Sequence, residues 1–320
     1  MEVTIKKYSK KNDNKSLKIL KEIKKCLKVL VVDYDGTIFD TETSKFNHQR
    51  ATNLLIRAME KGITPAIISA RDVSFFQFVF PLLNSSLSKL NNKNDYYFAG
   101  GNGSYLFKIN CFKKELIYNY SLNQNEIKNI LQVYKKILKQ MNLSNDDLIE
   151  DGIDIFSSLL NKLKGQRSIS AKLLNLSKKY RGAVFVETSK ISIVLPVDNK
   201  KKNLFQNYLI NYLPRKFSIN GDHTFIHVSK KIKINKQLID GKLHAVNTII
   251  KYLGLSKKQL AVFGDSPMGN DQAMLNFLPY SFTNNKNFTQ LDNLPPYFLL
   301  NIGLPVEKVH KAIQFLIEDK

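Results

Sequence analysis

Apolar and polar positions alternate along the chain in ways that separate helices from strands. Leu17, Leu20, Ile23 and Leu27 recur at helical spacing, and Lys18, Lys21, Lys24, Lys25 and Lys28 fill the intervening positions, which predicts a basic amphipathic helix. Residues 6–15 before it hold too few apolar side chains to build a core and read as a mobile polar tract. Residues 29–32 are a short, wholly apolar run that ends abruptly in acidic, glycine-containing sequence, the pattern of a buried parallel strand whose carboxyl end enters a loop. A helix is expected over 47–61, closed by Gly62, and a second strand over 63–68 that stops at Ser69. Strand, helix, strand implies a right-handed crossover and a parallel sheet. Residues 96–98 followed by Gly100, Gly101, Asn102 and Gly103 read as another strand tip and turn, and far downstream a helix over 240–253 precedes a strand over 259–263 that runs into Gly264 and Asp265. Polar residues just past strand ends are where ligands bind in open α/β sheets.

Between these halves the character changes. Strands are expected over 104–109, 115–120, 183–187, 191–195 and 225–228, with helices over 124–141, from there toward Tyr180, and over 202–213. The expected architecture is therefore α/β: a Rossmann-like core, with a parallel sheet flanked by helices, interrupted by an inserted α+β domain. The boundaries are 1–28 for the basic leader, 29–104 and 237–320 for the core, and 105–236 for the insertion.

Composition agrees with two globular domains: 320 residues, 43% of them hydrophobic, can bury a substantial core. No apolar stretch is long enough to span a bilayer and the lysine-studded start lacks the apolar run of a secretory signal, so the expectation is a cytoplasmic protein. Cys26 and Cys111 make neither a disulfide framework nor a metal-ligand spacing. The net charge of +22 comes mostly from lysine, with only six arginines. It would draw the protein to phosphate-rich partners, and the leader helix in particular to an anionic membrane surface as a peripheral contact, although packing on the adjacent domain is the stronger expectation for that helix. An Asn- and Ile-rich composition of the kind an AT-rich genome produces accounts for the charge equally well, and no nucleic-acid motif accompanies it, which places nucleic acid low among partners.

The most informative segment is Val29-Leu-Val-Val-Asp33-Tyr-Asp35-Gly36-Thr37. It resembles the signature of the haloacid dehalogenase superfamily of phosphohydrolases, a hydrophobic strand followed by Asp-x-Asp-Gly-Thr. Ile63-Thr-Pro-Ala-Ile-Ile-Ser69-Ala-Arg71 resembles the superfamily's second motif, Asp240-Gly-Lys242-Leu-His-Ala its third, and Leu260-Ala-Val-Phe-Gly264-Asp265-Ser-Pro-Met-Gly-Asn270-Asp271 its fourth. The long stretch between Ser69 and Lys242 has room for a cap domain and the short one between Asp33 and Ser69 has none, an arrangement similar to the α/β-capped branch that includes Cof-type, sucrose-phosphate and mannosyl-phosphoglycerate phosphatases. In that branch the cap closes the site and selects the substrate.

The resemblance implies Mg²⁺ as cofactor, a hard cation that neutralises phosphate while a carboxylate attacks phosphorus. Asp33 would be ligand and nucleophile, giving an aspartyl-phosphate, and Asp35 would protonate the leaving oxygen and later activate water. Ser69 would hydrogen-bond the transferring phosphoryl group and Lys242 would stabilise its charge, with Lys236 and Lys251 as competitors for that place. The metal set would be Asp33, Asp35 and Asp265, with Asp271 uncertain because two extra residues precede Asn270 and Asp271. Thr37, Arg71 and Asn270 fall on the substrate side, although Ala70 replaces the glycine of the Thr-Gly-Arg version that supports Arg71. The implied activity is phosphomonoester hydrolysis on a small phosphorylated metabolite such as a sugar phosphate. Alternatives are a phosphoprotein phosphatase, including one for phosphotyrosine; a degenerate module that binds anionic lipid or nucleic acid; and a phosphotransferase or dehalogenase on the same scaffold. Oligomeric state is open.

Overall fold

Val29–Val32 lies between two parallel neighbours with all four side chains buried, which is why its sequence is continuously apolar instead of alternating. The computed structural model describes residues 14–40, 47–71, 76, 79–89, 95–110, 113–143, 183–186, 189–195, 197–221, 225–234, 237–285, 297–298 and 305–318. Two compact units emerge, one made of residues 1–118 and 242–320 and the other of residues 119–241.

In the first unit helix α1 covers residues 14–24, followed by β1 (Val29–Val32), α2 (His48–Glu60), β2 (Thr64–Ile68), α3 (Val79–Lys89), β3 (Tyr96–Gly100), β4 (Tyr105–Ile109) and β5 (Lys114–Asn119). Asn47 caps α2 by accepting from the Arg50 amide, and Gly62 takes the left-handed conformation just past it, the start and stop signals present in the sequence. In the second unit come α4 (Gln124–Gln140), β6 (Ala183–Val186), β7 (Lys190–Val194), α5 (Asn199–Tyr212), β8 (Phe217–Gly221), β9 (Phe225–Lys230), β10 (Ile232–Ile234) and β11 (Gln237–Ile239). The chain returns to the first unit through α6 (Gly241–Leu253), β12 (Leu260–Gly264), α7 (Gln272–Phe277), β13 (Ser281–Thr283), β14 (Tyr297–Phe298) and α8 (Pro305–Ile317).

The first unit is built on an eight-stranded sheet of order β14-β13-β12-β1-β2-β3-β4-β5, parallel from β14 to β3 and antiparallel between β3 and β4. Successive β1 side chains enter opposite cores. Leu30 and Val32 join Ile23, Leu54, Leu83 and Ile313 from α1, α2, α3 and α8; Val29 and Val31 join Val246, Ile249 and Leu275 from α6 and α7.

Two expectations change. The strands expected at 104–109 and 115–120 were assigned to the insertion from 105 onward; β4 and β5 instead extend the central sheet, because Tyr96–Gly100 pairs in register with Tyr105–Ile109 across a glycine-rich turn. Leu17, expected on the buried face of the leader helix, is 42% exposed, and Ile19 takes the inward position beside Leu20, Ile23 and Leu27. That face packs on the core of its own unit, with Lys24 Nζ 4.9 Å above the Phe315 ring. The polar tract before residue 14, Cys111 and the helical sequence expected toward Tyr180 lie outside the described residues. No helix among the described residues is long and apolar enough to cross a membrane.

The second unit has a four-stranded antiparallel sheet of order β6-β7-β9-β8 and a separate β10-β11 hairpin. One face of the sheet, through Ile191, Ile193, Ile226 and Val228, packs on Ile130 and Ile137 of α4 and Phe205 and Leu209 of α5. An α/β core with a parallel sheet and a separate α+β unit is the predicted fold class.

Candidate active site

The strand order sets the site. β12, β1, β2 and β3 are consecutive in the sheet and parallel, so the residues that follow them gather along one edge: Asp265 after β12, Asp33 after β1, Ser69 after β2 and the turn from Gly101 after β3. Backbone bonds lock these tips together. The Asp33 amide donates to Phe263 O at 2.9 Å, the Ser69 amide to Ala99 O at 2.9 Å, and the Asn102 amide to Ser69 O at 3.0 Å.

Three carboxylates converge on this edge. Oxygen atoms of Asp33, Asp265 and Asp271 all lie within 4.8 Å of one another. One cation answers them: Lys242, fully buried at the start of α6, donates from Nζ to Asp33 Oδ1 at 2.9 Å and to Asp271 Oδ1 at 2.6 Å. Its competitor Lys251 sits exposed in the last turn of α6, and Lys236 lies outside the described residues. Burial pushes the Asp33 carboxyl up to about 8; Lys242 pulls the other way, and Asp271 adds to the rise. Asp265 is raised well above the carboxylate range by burial and by the charges of Asp33 and Asp271. Burial works to lower the Lys242 pKa, but Asp271 and Asp33 outweigh it and the ammonium is held more firmly than usual. Among the described residues this edge has more carboxyl groups than its lysine can pair, and burial with their mutual proximity disfavours charging all of them.

Close approach is built into the backbone. Gly36 adopts φ +70, and a Cβ there would collide with the Asp265 carboxylate; a Cβ on Gly264 would come within 2.7 Å of Asp271 Oδ2. The two extra residues before Asn270 do not carry Asp271 away. The chain turns outward through the Ser266–Gly269 bond, leaves Met268 74% exposed, and returns so that Asp271 Oδ2 accepts from the Ser266 amide at 3.0 Å. Asn270 is half-buried on the same turn and joins none of these bonds.

Asp35 is placed differently. Its Oδ2 accepts from Arg71 Nε at 2.6 Å, while its Oδ1 has no hydrogen-bond partner among the described residues. Ser69 is fully buried and its Oγ accepts from the Arg71 amide at 3.0 Å, so the turn after β2 presents serine and arginine together. Thr37 is fully buried with Oγ1 unpartnered. The structure thus brings Asp33, Lys242, Asp265 and Asp271 into one charged cluster, and Asp35, Arg71 and Ser69 into a second set joined to it through the β1 and β2 tips.

Sequence reasoning missed two supports and one buried amide. Asn284 Nδ2 donates to Gly36 O at 2.9 Å and Asn285 Nδ2 to Asp265 O at 3.0 Å, fixing both acidic loops; nothing in their local sequence marks them. Asn102 is 3% exposed at φ +59, and neither end of its side-chain amide has a partner among the described residues. Its position between glycines at a strand tip was visible in the sequence. A buried polar atom without a partner forfeits about 1–3 kcal/mol of desolvation, and Asp35, Thr37 and Asn102 all carry such atoms beside the carboxylates.

The family model for haloacid dehalogenase-like hydrolases matches residues 30–286. No curated protein sequence matches the chain. Among solved structures it is similar to a putative HAD/COF-like hydrolase from Plasmodium vivax, with 19% identity, a TM-score of 0.60 and coverage of 92% of this chain and 97% of that one. It is also similar to an N-terminally truncated IMP-nucleotidase from Plasmodium falciparum, with 14% identity, a TM-score of 0.56 and coverage of 95% and 74%. A haloacid dehalogenase-like hydrolase from Bacteroides thetaiotaomicron shows 16% identity, a TM-score of 0.52 and coverage of 90% and 98%.

Proposed function

The chain belongs to the haloacid dehalogenase-like hydrolase family, and on that premise we propose that it is a Mg²⁺-dependent phosphatase that hydrolyses a small phosphorylated metabolite through an aspartyl-phosphate on Asp33. The observation that carries this reading is the imbalance at the sheet edge, where three carboxylates lie close together and Lys242 bonds two of them.

That donor set suits the cation. Carboxylate oxygens are the hard ligands Mg²⁺ takes, and Asp33 and Asp265, raised first by burial and then by their carboxylate neighbours, are held in a place where a bound divalent ion would favour the charged form. Asp33 and Asp265 would hold it, with Asp271 as ligand or as support for the ligand loop. When bound, the ion supplies charge neutralisation for the phosphoryl oxygens.

The remaining work belongs to the chain's own side chains. An Asp33 oxygen attacks phosphorus, the ester oxygen leaves, and Asp35 gives that oxygen its proton. Asp35 then takes a proton from water, whose oxygen attacks the phosphorus of the aspartyl-phosphate; inorganic phosphate departs and the Asp33 carboxylate is restored. Arg71, bonded to Asp35 Oδ2, holds that carboxyl toward the reacting group. Ser69 Oγ donates to a phosphoryl oxygen, and Lys242 stabilises the charge that Asp33 shares with the phosphoryl group. Thr37 lines the phosphoryl end through its unpartnered hydroxyl.

The test is phosphate release by wild type and Asp33→Asn, with Mg²⁺ and with EDTA. The panel holds sugar phosphates, nucleoside monophosphates, p-nitrophenyl phosphate, and phosphotyrosine, phosphoserine and phosphothreonine peptides. Nucleoside monophosphates are included because one similar structure is that of an IMP-nucleotidase. Turnover that needs Mg²⁺ and vanishes in the variant supports the mechanism. A preference for phosphopeptides over every metabolite would overturn the substrate class, and turnover that survives Asp33→Asn would overturn the nucleophile.

A further inference from the structure

The turn after β3 is held at every backbone point the strand tips offer. The Gly101 amide donates to Arg71 O at 2.8 Å, the Asn102 amide to Ser69 O at 3.0 Å, and the Ser104 amide to Gly100 O at 3.0 Å; Tyr118 OH donates to Gly103 O at 3.0 Å. Residues 101, 102 and 103 all take positive φ. A turn this constrained determines where the Asn102 side chain points, and glycine at 102 would satisfy the backbone at less conformational cost than asparagine. Yet asparagine is there, 3% exposed, with both Nδ2 and Oδ1 lacking a partner among the described residues.

Buried amides in native proteins are paired, and an exception calls for a ligand or a structural reason. The structural reason is missing: the turn is held by its main chain, and the amide adds no bond to it. Its location supplies the ligand reason, since the Asn102 backbone bonds Ser69 and its neighbour Gly101 bonds Arg71.

The chemistry of an amide narrows what it meets. A phosphoryl group offers only acceptors at neutral pH and would leave Oδ1 facing lone pairs. A group that satisfies both ends must donate and accept, as a hydroxyl does. Charged and hydroxyl side chains already serve the phosphoryl end. We propose that Asn102 is a substrate-binding residue that recognises a hydroxyl of the leaving group. This rests on the phosphatase reading above.

The experiment compares wild type with Asn102→Gly, a substitution that keeps the left-handed backbone and removes only the amide. Thermal midpoints are measured without ligand, and Mg²⁺-dependent kcat/KM is measured on p-nitrophenyl phosphate, whose leaving group has no hydroxyl besides the ester oxygen, and on the sugar phosphates and nucleoside monophosphates of the panel. The expected result is a midpoint at or above that of wild type, together with a loss in kcat/KM, mostly as raised KM, that is at least about tenfold larger on the best hydroxylated ester than on p-nitrophenyl phosphate. Equal losses on both substrates would place Asn102 at the phosphoryl group and overturn the assignment. A lower midpoint with unchanged specificity would make the amide structural and overturn it too. A wild type that hydrolyses none of the panel would instead bring down the phosphatase reading itself.

Discussion

Each unit of this protein buries an acidic group beside lysine, and the two clusters are built to opposite ends. In the second unit a single carboxylate, Glu126, meets Lys216 at 2.9 Å and Lys230 at 3.1 Å, and closes a capping box in which its Oε2 accepts from the Asn123 amide while Asn123 Oδ1 accepts from its own. In the first unit three carboxylates lie close together and Lys242 bonds two of them, Asp33 and Asp271. Both clusters follow the same electrostatic rules, and only the second unit's acid is satisfied by its neighbours. Charge and hydrogen bonds left over after folding mark a place where the protein expects something else. On the proposed function, Glu126 contributes to stability, whereas the Asp33 cluster costs stability and would serve the chemistry.

The largest test of that contrast is Asp33→Asn. On the proposed mechanism the substitution should lower kcat by at least about 10⁴-fold, while removing one of three crowded carboxyl groups should leave the thermal midpoint in EDTA at or above that of wild type. Phosphate-release kinetics and calorimetry on the same preparation check both. A variant that lost stability along with activity would show that Asp33 is a structural acid like Glu126.

Lys242→Gln runs the other way. Three buried carboxylates without their cation should destabilise the first unit by about 3–5 kcal/mol in EDTA, and Mg²⁺ should restore part of the loss. Unfolding followed by circular dichroism with and without Mg²⁺ reads this. No restoration by the ion would mean that the carboxylates do not form a cation site.

Gly36→Ala probes spacing instead of charge. At φ +70 a Cβ is strained and meets the Asp265 carboxylate, so Asp265 must move. Mg²⁺ affinity, measured by isothermal titration, should fall about 10–100-fold, as it does when the support of a ligand is disturbed. An unchanged affinity would remove Asp265 from the ligand set.

How much of this was legible in the sequence depends on how local each signal is. The strands that carry the site were readable because apolar runs buried on both faces have sharp polar ends, and Asp33, Ser69 and Asp265 stand one residue past those ends. The α2 boundaries were readable from Asn47 and Gly62, which act within one turn. The place of β4 and β5 was not, since a strand's sequence states that it pairs but not with which sheet. Leu17 and Ile19 differ by half a turn, and only the tertiary core that Ile19 joins decides which is inside. Asp271 was in doubt because the fourth motif is two residues longer; an outward turn absorbs them, a tertiary solution that spacing alone does not disclose. Asn284 and Asn285 act across about 250 and 20 residues of sequence and leave no local trace.

The smallest expected effect returns to the satisfied cluster. Burial works to raise the Glu126 carboxyl, but Lys216, the Asn123 amide and Lys230 together bring it down to about 2, from an ordinary value of 4.5. The folded state therefore releases this proton more readily than the unfolded chain does. Its contribution is fully present above the unfolded value and is lost as pH falls from 4.5 toward 2. Lys216 is 46% exposed and solvent screens its share, so Glu126→Gln should cost about 1–2 kcal/mol at pH 7, with phosphate release per folded molecule unchanged. Thermal midpoints of wild type and variant should differ by a constant amount from pH 7 to pH 5 and draw together between pH 4.5 and pH 3. A gap that persists at pH 3 would show that Glu126 stabilises the helix start through the shape of its capping box and not through its charge. The contrast between a satisfied and an unsatisfied acid would then rest on the Asp33 cluster alone.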